Sequence, residues 1–537
     1  MHPVQPSPVL TTAAPDAASA AAAARSFRAS LAAMIGICLV FMLTALNTSV
    51  VGTAMPRIVA DLRGYDLYPW AASAFLMTNA ITIPITGRLG DLYGRKPFVL
   101  AAVVLFTLAS AACGLAQTMM QLILARAAQG FAGGMLIGVV AACVPDLFPD
   151  RVQRVRWQVL LSSSFGVALA VGPWLGGWVT EHMGWRYVFF VSLPVALAAL
   201  PVVWRYLPHT VHHDGGDRRI DWLGALLLAA AIGSLLFAAE YAQGHGLASA
   251  PSLALWALTA VASTVFFRHQ YRTAAPIVPP AVLDDRASRL LMVLGVLTGL
   301  SMFLLVYYAP LLLQGSFGLS PNEAGIVMTP LLACITVGSI VNGRILPRLR
   351  RAERLLAWGQ LVLVAGCLLL TQVDAHTPRA TLMWIFALCG ISLGFQLPNL
   401  TLQMIEVAGR RHFGVASALV QSTRMIGSMV GVGLASVLVN TVYARDVDAM
   451  LARSPATDAE VAHLLASPQV LIRAQDHDAL LAAAQRLGLD PAPWIEAAKQ
   501  GLASGTHAAF LLCALASLAC FAISLKLPAL DMRARRT

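Results

Sequence analysis

A chain of 537 residues that is 58% hydrophobic and only 12% charged, with a mean hydropathy of +0.72, lies outside the range of soluble globular domains and reads as a polytopic membrane protein. Its net charge of +11 is explained by basic loops that orient helices, not by a nucleic-acid surface. All eight cysteines, Cys38, Cys113, Cys143, Cys334, Cys367, Cys389, Cys513 and Cys520, fall inside apolar runs without metal-ligand spacing, which excludes a disulfide framework or a zinc site as an organising feature.

Taken in chain order, residues 1–29 are rich in Ala, Pro and Ser, lack the ordered regions of a signal peptide, and read as a disordered cytoplasmic tail. Apolar runs then predict an all-α membrane chain of fourteen spans, at about 30–51, 68–86, 98–116, 120–142, 158–180, 186–206, 222–240, 251–268, 290–313, 322–342, 354–371, 381–405, 414–443 and 505–526. With the N-terminus in the cytoplasm, that side holds 26 of the 37 Lys and Arg, the other side holds 9, and Arg126 and Arg424 fall within spans. This is the alternation that the positive-inside rule requires of a chain with both termini inside. Residues 207–221, with "HTVHHDGGDRRID", read as a cytoplasmic linker whose histidines suit a polar loop better than a metal site. Residues 444–504 carry eight acids and five bases. Their stretches "DAEVAHLLA", "DHDALLAAAQRLG" and "PAPWIEAAKQGL" predict three short amphipathic helices in a solvated hairpin, with a cover over the outer mouth or a partner contact as alternatives. Residues 527–537 form a second cytoplasmic tail.

Between the second and third spans lies the polar knot "GRLGDLYGRKP", Gly87 to Pro97. Gly87 and Gly94 permit tight backbone paths, Asp91 can cap a helix or form an ion pair, and Arg95 and Lys96 can partner that acid and anchor the turn at lipid headgroups. Such a cluster can clamp the cytoplasmic side shut and release it. In the fifth span, glycines 166, 172, 176 and 177 allow close helix approach and Pro173 removes a backbone hydrogen bond. In the twelfth span Gln396, Asn399, Gln403 and Glu406 form one polar stripe; in the thirteenth, Ser417, Gln421, Arg424 and Ser428 form another. Facing lipid would be costly, so the stripes should face each other or water, the alternative being simple helix-to-helix bonding. Gln314, at the end of the ninth span, joins the candidate cavity. Carboxylates are nearly absent from the spans. Glu240 sits near the outer end of the seventh, and Asp146 and Glu406 sit at cytoplasmic ends. No nucleophile–base pair, metal cluster or phosphate loop supports an enzyme, and no cofactor is called for.

The Gly87–Pro97 knot resembles the signature loop of the major facilitator superfamily. "LILARAAQGFAGGML" (122–136), with Arg126, Gln129 and Gly130, resembles its helix-4 motif, and "GVALAVGPWLGG" (166–177), with Gly166, Gly172, Pro173, Gly176 and Gly177, resembles the helix-5 motif of its antiporters. "LNTSVVGTAMPRI" (46–58) is similar to the helix-1 signature of the fourteen-helix drug:proton antiporter branch, and "GWRYVFFVSLP" and "YYAPLLLQGSFGLSPNEAGIVMTP" resemble its later stretches. The resemblance implies two six-helix bundles related by pseudo-two-fold symmetry, at 30–206 and 290–526, with two inserted helices at 222–268. It also implies a central cavity open to one side at a time and export of amphipathic toxic compounds in exchange for protons. The cavity residues would be Asn47, Arg126, Gln129, Gln314, Gln396, Asn399, Gln403, Gln421 and Arg424.

One departure matters. Where related exporters carry an aspartate in helix 1, this chain has Asn47, and an amide does not titrate. Opposed helix directions place Asn47 and Arg126 at similar depth as neighbours. Proton coupling is then expected at Asp91, Asp146, Glu240 or Glu406, or through the substrate's own proton; a facilitator or exporter of neutral or anionic metabolites without helix-1 carboxylate proton coupling is the alternative. Two in-span arginines with little buried acid disfavour multivalent cations. The expected partners are the lipid bilayer, a small-molecule substrate and protons. By analogy with relatives in double-membrane bacteria, a periplasmic adaptor would meet residues 444–504, and the location would be the inner membrane.

Overall fold

The computed structural model describes residues 17–529 except 63–66, 149, 210–219, 246–248, 350, 410–411, 452–458, 467, 472–473 and 488–489. Every regular element in these residues is helical. The first, α1 (Ala17–Leu62), runs for 46 residues. It begins well before residue 30 because the alanine-rich stretch from Ala17 has the highest helix propensity of any composition. The expected disordered tail is therefore corrected for 17–29; residues 1–16, most of the 207–221 linker and 530–537 lie outside the described residues.

There follow α2 (Tyr68–Tyr93), α3 (Arg95–Gly114), α4 (Met119–Leu147), α5 (Arg151–His182), α6 (Trp185–Phe190), α7 (Ser192–Tyr206), α8 (Trp222–His245), α9 (Ala250–Gln270), α10 (Pro280–Asp284) and α11 (Arg286–Leu311). The chain continues with α12 (Pro321–Ile345), α13 (Ala352–Leu370), α14 (Arg379–Ala408), α15 (Phe413–Leu451), α16 (Ala459–Leu465), α17 (Ala474–Leu487) and α18 (Ala492–Ser524). Among the described residues thirteen helical stretches are long and apolar enough to cross a bilayer, α6 and α7 together forming one of them. The remaining expected span corresponds to α2, which is 26 residues long but is diluted by Thr78, Asn79, Thr82 and Thr86.

The polarity of α2 has a packing reason. Gly130, Gly134 and Gly138 of α4 lie directly against the α2 backbone at Phe75, Asn79 and Ile83, where a Cβ would clash. This small-residue ladder lets the Thr78 hydroxyl donate to the Ala127 carbonyl at 2.8 Å. The polar side of α2 faces protein, not lipid.

Helix packing repeats itself in the two halves of the chain. In the first, α1 packs on α4, α5 and α7, α2 on α4, and α3 on α4 and α7; in the second, α11 packs on α14, α15 and α18, α12 on α14, and α13 on α14 and α18. The groups meet through α5 on α12 and α2 on α15, two contacts that exchange under the same pseudo-two-fold relation. Helices α8 and α9 pair with each other, and α8 touches α2 and α15.

The segment 444–504 differs from the expected solvated hairpin. α15 continues unbroken to Leu451, and "PAPWIEAAKQGL" is the start of α18, not a separate helix. Val461, Leu465, Val470, Leu480 and Trp494 are buried in one apolar cluster with α11–α13 residues, so the amphipathic faces cap the end of the second helix group. At the same end of the first group, the Asp61 carboxylate accepts from Trp185 Nε1 at 2.9 Å and Arg186 Nη1 at 3.0 Å. Those two donors hold it below the usual carboxylate range.

Candidate transport pathway

Arg126 is a cation on an otherwise apolar helix, and it is only 4% exposed. Its guanidinium donates to Asn47 Oδ1 at 2.6 Å, to Gln129 Oε1 at 2.9 Å and to the Ala71 carbonyl at 3.2 Å. The Phe75 ring lies 4.3 Å away. All these partners are neutral, so charge-assisted hydrogen bonds and the ring face offset the desolvation of the cation without a carboxylate. Gln129 Nε2 donates onward to Ser110 Oγ at 3.0 Å. The expected proximity of Asn47 and Arg126 is what the structure has, and the Asn47 amide nitrogen is left without a hydrogen bond.

On the other side of Phe75 a cavity of about 270 Å³ lies between the two helix groups. Thr44, Thr48 and Ser49 of α1, Phe75 and Asn79 of α2, Phe303 and Tyr307 of α11, and Gln421 and Arg424 of α15 line it. A second pocket of about 420 Å³ adjoins it, sharing Leu76, Phe303 and Tyr307. Met55, Ser73, Tyr308, Ser428 and Glu240 are among its other lining residues. Glu240, on α8, accepts a hydrogen bond from Ser73 of α2.

At the end carrying Asp91 the two groups are bolted together. Gly94 has φ +86° and makes the sharp break between α2 and α3. Asp91 Oδ1 accepts from the Gly414 backbone N–H at 2.8 Å, and Oδ2 from the Val415 N–H at 3.0 Å. These donors belong to the first turn of α15, where amides have no intrahelical acceptor and the helix dipole favours an anion. Arg95 Nη2 reaches Asp91 at 2.8 Å, while Arg95 Nη1 donates to the Ala142 carbonyl at 2.8 Å and pairs with Asp146. Arg154 of α5 and Glu406 of α14 form a further pair across the groups at 2.7 Å. Gly87 packs against Ala418 and the Gly414 backbone, where a Cβ would clash, so the two helices approach closely there.

The structure thus divides the residues singled out in the sequence. Asn47, Arg126 and Gln129 form the network behind Phe75, and Gln421 and Arg424 line the cavity. Gln396, Asn399 and Gln403 are fully buried in the second helix group and line neither cavity; Asn399 Nδ2 donates to Asn342 at 2.9 Å and Gln396 Nε2 to Ser392 at 2.9 Å. The stripe is covered by α12 and α13; Asn399 bonds across to α12, the Gln396 bond stays within α14, and the Gln403 amide has no partner among the described residues. Gln314 is half-buried in the π-helical turn Leu312–Ser316, outside both cavities. Arg95, 2% exposed, bridges two acids and is not a headgroup anchor; Lys96, half-buried, takes no part in that bridge.

In α5, Gly166 packs on Thr336 of α12, and Gly172 and Gly176 pack on α1 at Ser49 and Val50. Gly177 faces open space and serves no close approach; Pro173 lies within the unbroken helix. Of the acids, Asp91, Asp146 and Glu406 hold the closed end, and only Glu240 meets a cavity. Sequence reading missed Asn79, hidden in an apparently apolar run, and Arg154, counted as one more loop charge in "DRVQRVR".

The chain matches the Major Facilitator Superfamily over residues 37–432. It is 30% identical over 406 residues to the multidrug transporter protein MdtP of Bacillus subtilis, covering 75% of this chain and 74% of that protein. It is 29% identical over 454 residues to multidrug resistance protein 3 of the same organism, covering 83% and 88%. The crystal structure of the human organic anion transporter MFSD10 (TETRAN) shares the fold with a TM-score of 0.56 at 15% identity, over 91% of this chain and 99% of that one. A multi-pass helical membrane chain with a cavity between two similarly packed helix groups, matched over most of its length, belongs to the major facilitator superfamily of transporters.

Proposed function

We propose that this protein is a secondary active exporter of small amphipathic compounds across the cytoplasmic membrane, working by alternating access and coupled to proton influx. The observation that carries the reading is the bolt at the Asp91 end. Its bonds run from a side chain of one helix group to the first turn of a helix in the other, directly below a cavity that both groups line. Parting the groups there would open the cavity to the cytoplasm, given both termini inside. The bundles would be 30–206 and 290–526, with 222–268 inserted between them and α2 counted as the fourteenth span. The names of the two Bacillus relatives support drugs as the substrate class.

For the proton, Glu240 is the carboxylate that meets the pathway, while Asp91, Asp146 and Glu406 serve the closure. Asn47 favours a second reading, a facilitator of neutral or anionic metabolites, because the group bonded to Arg126 cannot titrate. Residues 444–504 would offer an adaptor its docking face on the outer side.

Proteoliposomes separate the two readings. Adding an exported dye to reconstituted protein is expected to move protons with the dye, and Glu240→Gln is expected to abolish the proton movement while dye binding persists. Dye equilibration without any proton movement in the unmodified protein would establish the facilitator instead. In the same assay Asn47→Asp should add a new pH dependence to transport, since it converts a 2.6 Å amide contact into an ion pair that a proton can break. An unchanged pH profile would contradict that.

A further inference from the structure

We propose that the central cavity binds the head group of an amphipathic monoanion, a carboxylate or sulfonate on an apolar body, with the Arg424 guanidinium as counter-ion and the Asn79 amide as a second donor. This rests on the transporter reading and names its substrate class.

Four observations converge on it. Arg424 lines the cavity, and among the described residues it has no hydrogen bond, ion pair or ring contact. Arg126, by contrast, is fully engaged behind Phe75. Asn79 lines the same cavity and is 1% exposed. Neither its amide oxygen nor its nitrogen has a partner. A buried amide with both ends unmet is costly, and at the wall of this cavity a bound head group can supply the missing partner. Third, no carboxylate lines the central cavity among the described residues. The field there is set by one bare guanidinium and by a second one 4.3 Å behind the Phe75 ring, in a low-dielectric surround that magnifies both. Fourth, the remaining wall is apolar, with Ile83, Phe303 and Met425 among its residues.

The geometry also orients the guest. Glu240 stands in the adjoining pocket, where among the described residues the wall offers an anionic head no cation, whereas the central cavity offers Arg424. The apolar body then extends past Phe303 and Tyr307, which both pockets share. At about 270 Å³ the central cavity is near the lower limit of small-molecule pockets, which run to about 1,000 Å³, so the head end is confined and the tail is not. A cation in the same place would meet Arg424 with no acid to compensate it.

The test uses the full chain in nanodiscs and three dansyl probes of similar size: dansylglycine, neutral dansylamide and cationic dansylethylenediamine. The expected result is tighter binding of the anion than of the other two by about tenfold or more. Arg424→Gln should remove that preference, a loss of about ten- to a hundredfold for the anion as befits a charge-assisted hydrogen bond, and change dansylamide binding by a much smaller factor. Arg424→Lys should keep most of the preference, and Asn79→Ala should weaken the anion by a smaller factor. Size-exclusion profile and thermal melting in detergent, matched to the unmodified protein, report that each variant is folded. The proposal is overturned if the unmodified protein shows no charge preference or favours the cation, or if Arg424→Gln weakens all three probes alike. Dye transport with no anion preference sinks this inference alone. Arg424-dependent anion binding without any transport in liposomes sinks the exporter reading and leaves this one standing.

Discussion

Asp91→Asn is expected to stop net export and leave the protein resting open toward the cytoplasm. The Asp91 carboxylate is 3% exposed and accepts two N–H bonds from the first turn of α15. Those two bonds exist only when the helix groups meet, so their loss falls on the closed state alone. An asparagine retains one acceptor oxygen but loses the charge that the helix end favours. The closed state then loses about 2–3 kcal/mol, a shift of roughly 30- to 150-fold in the conformational equilibrium. A cysteine placed on the cytoplasmic face of the cavity should become reactive to a charged maleimide while export falls. Full export with unchanged reactivity would show that the bolt is not part of the cycle.

Arg95→Leu is expected to act on folding more than on the cycle. Arg95 joins Asp91 and Asp146 at 2% exposure, and removing it leaves two buried acids without their cation. Breaking a buried ion pair from one side typically costs about 3–5 kcal/mol, enough to lower the yield of folded protein sharply. The double variant Arg95→Leu, Asp146→Leu takes away one stranded charge together with the cation. It should recover much of the thermal stability in detergent without recovering export. Equal stability for the single variant and the unmodified protein would contradict the buried bridge.

What the sequence made legible followed from local rules. Apolar runs located the membrane helices because lipid permits little else, and the resemblance of the Gly87–Pro97 knot named the family that the wider match shows. The Asn47–Arg126 contact could be anticipated because opposed helix directions put both residues at one depth. The destinations of polar side chains were not local. Gln396, Asn399 and Gln403 form a stripe that suits a cavity and a helix interface equally well, and the choice depends on what α12 and α13 cover. Arg95 finds the Ala142 carbonyl 47 residues away, and spacing within the knot carries no trace of that. Asn79 escaped notice because the glycine ladder of α4, not the sequence around it, turns its face inward. The amphipathic helices of 444–504 were legible, but not that their apolar faces would close over the end of the second group.

In the proposed cycle the two helix groups part at the Asp91 end to expose the cavity. Electron–electron spin distances test it most directly. Labels would be placed at the exposed Gln153 on α5 and Arg354 on α13, in a background with the eight native cysteines replaced. The expected result is a single short distance for the resting protein and a second, longer population when Asp91 is changed to asparagine or a transported dye is added. One unchanged distance under all three conditions, with the dye still crossing the membrane, would contradict it.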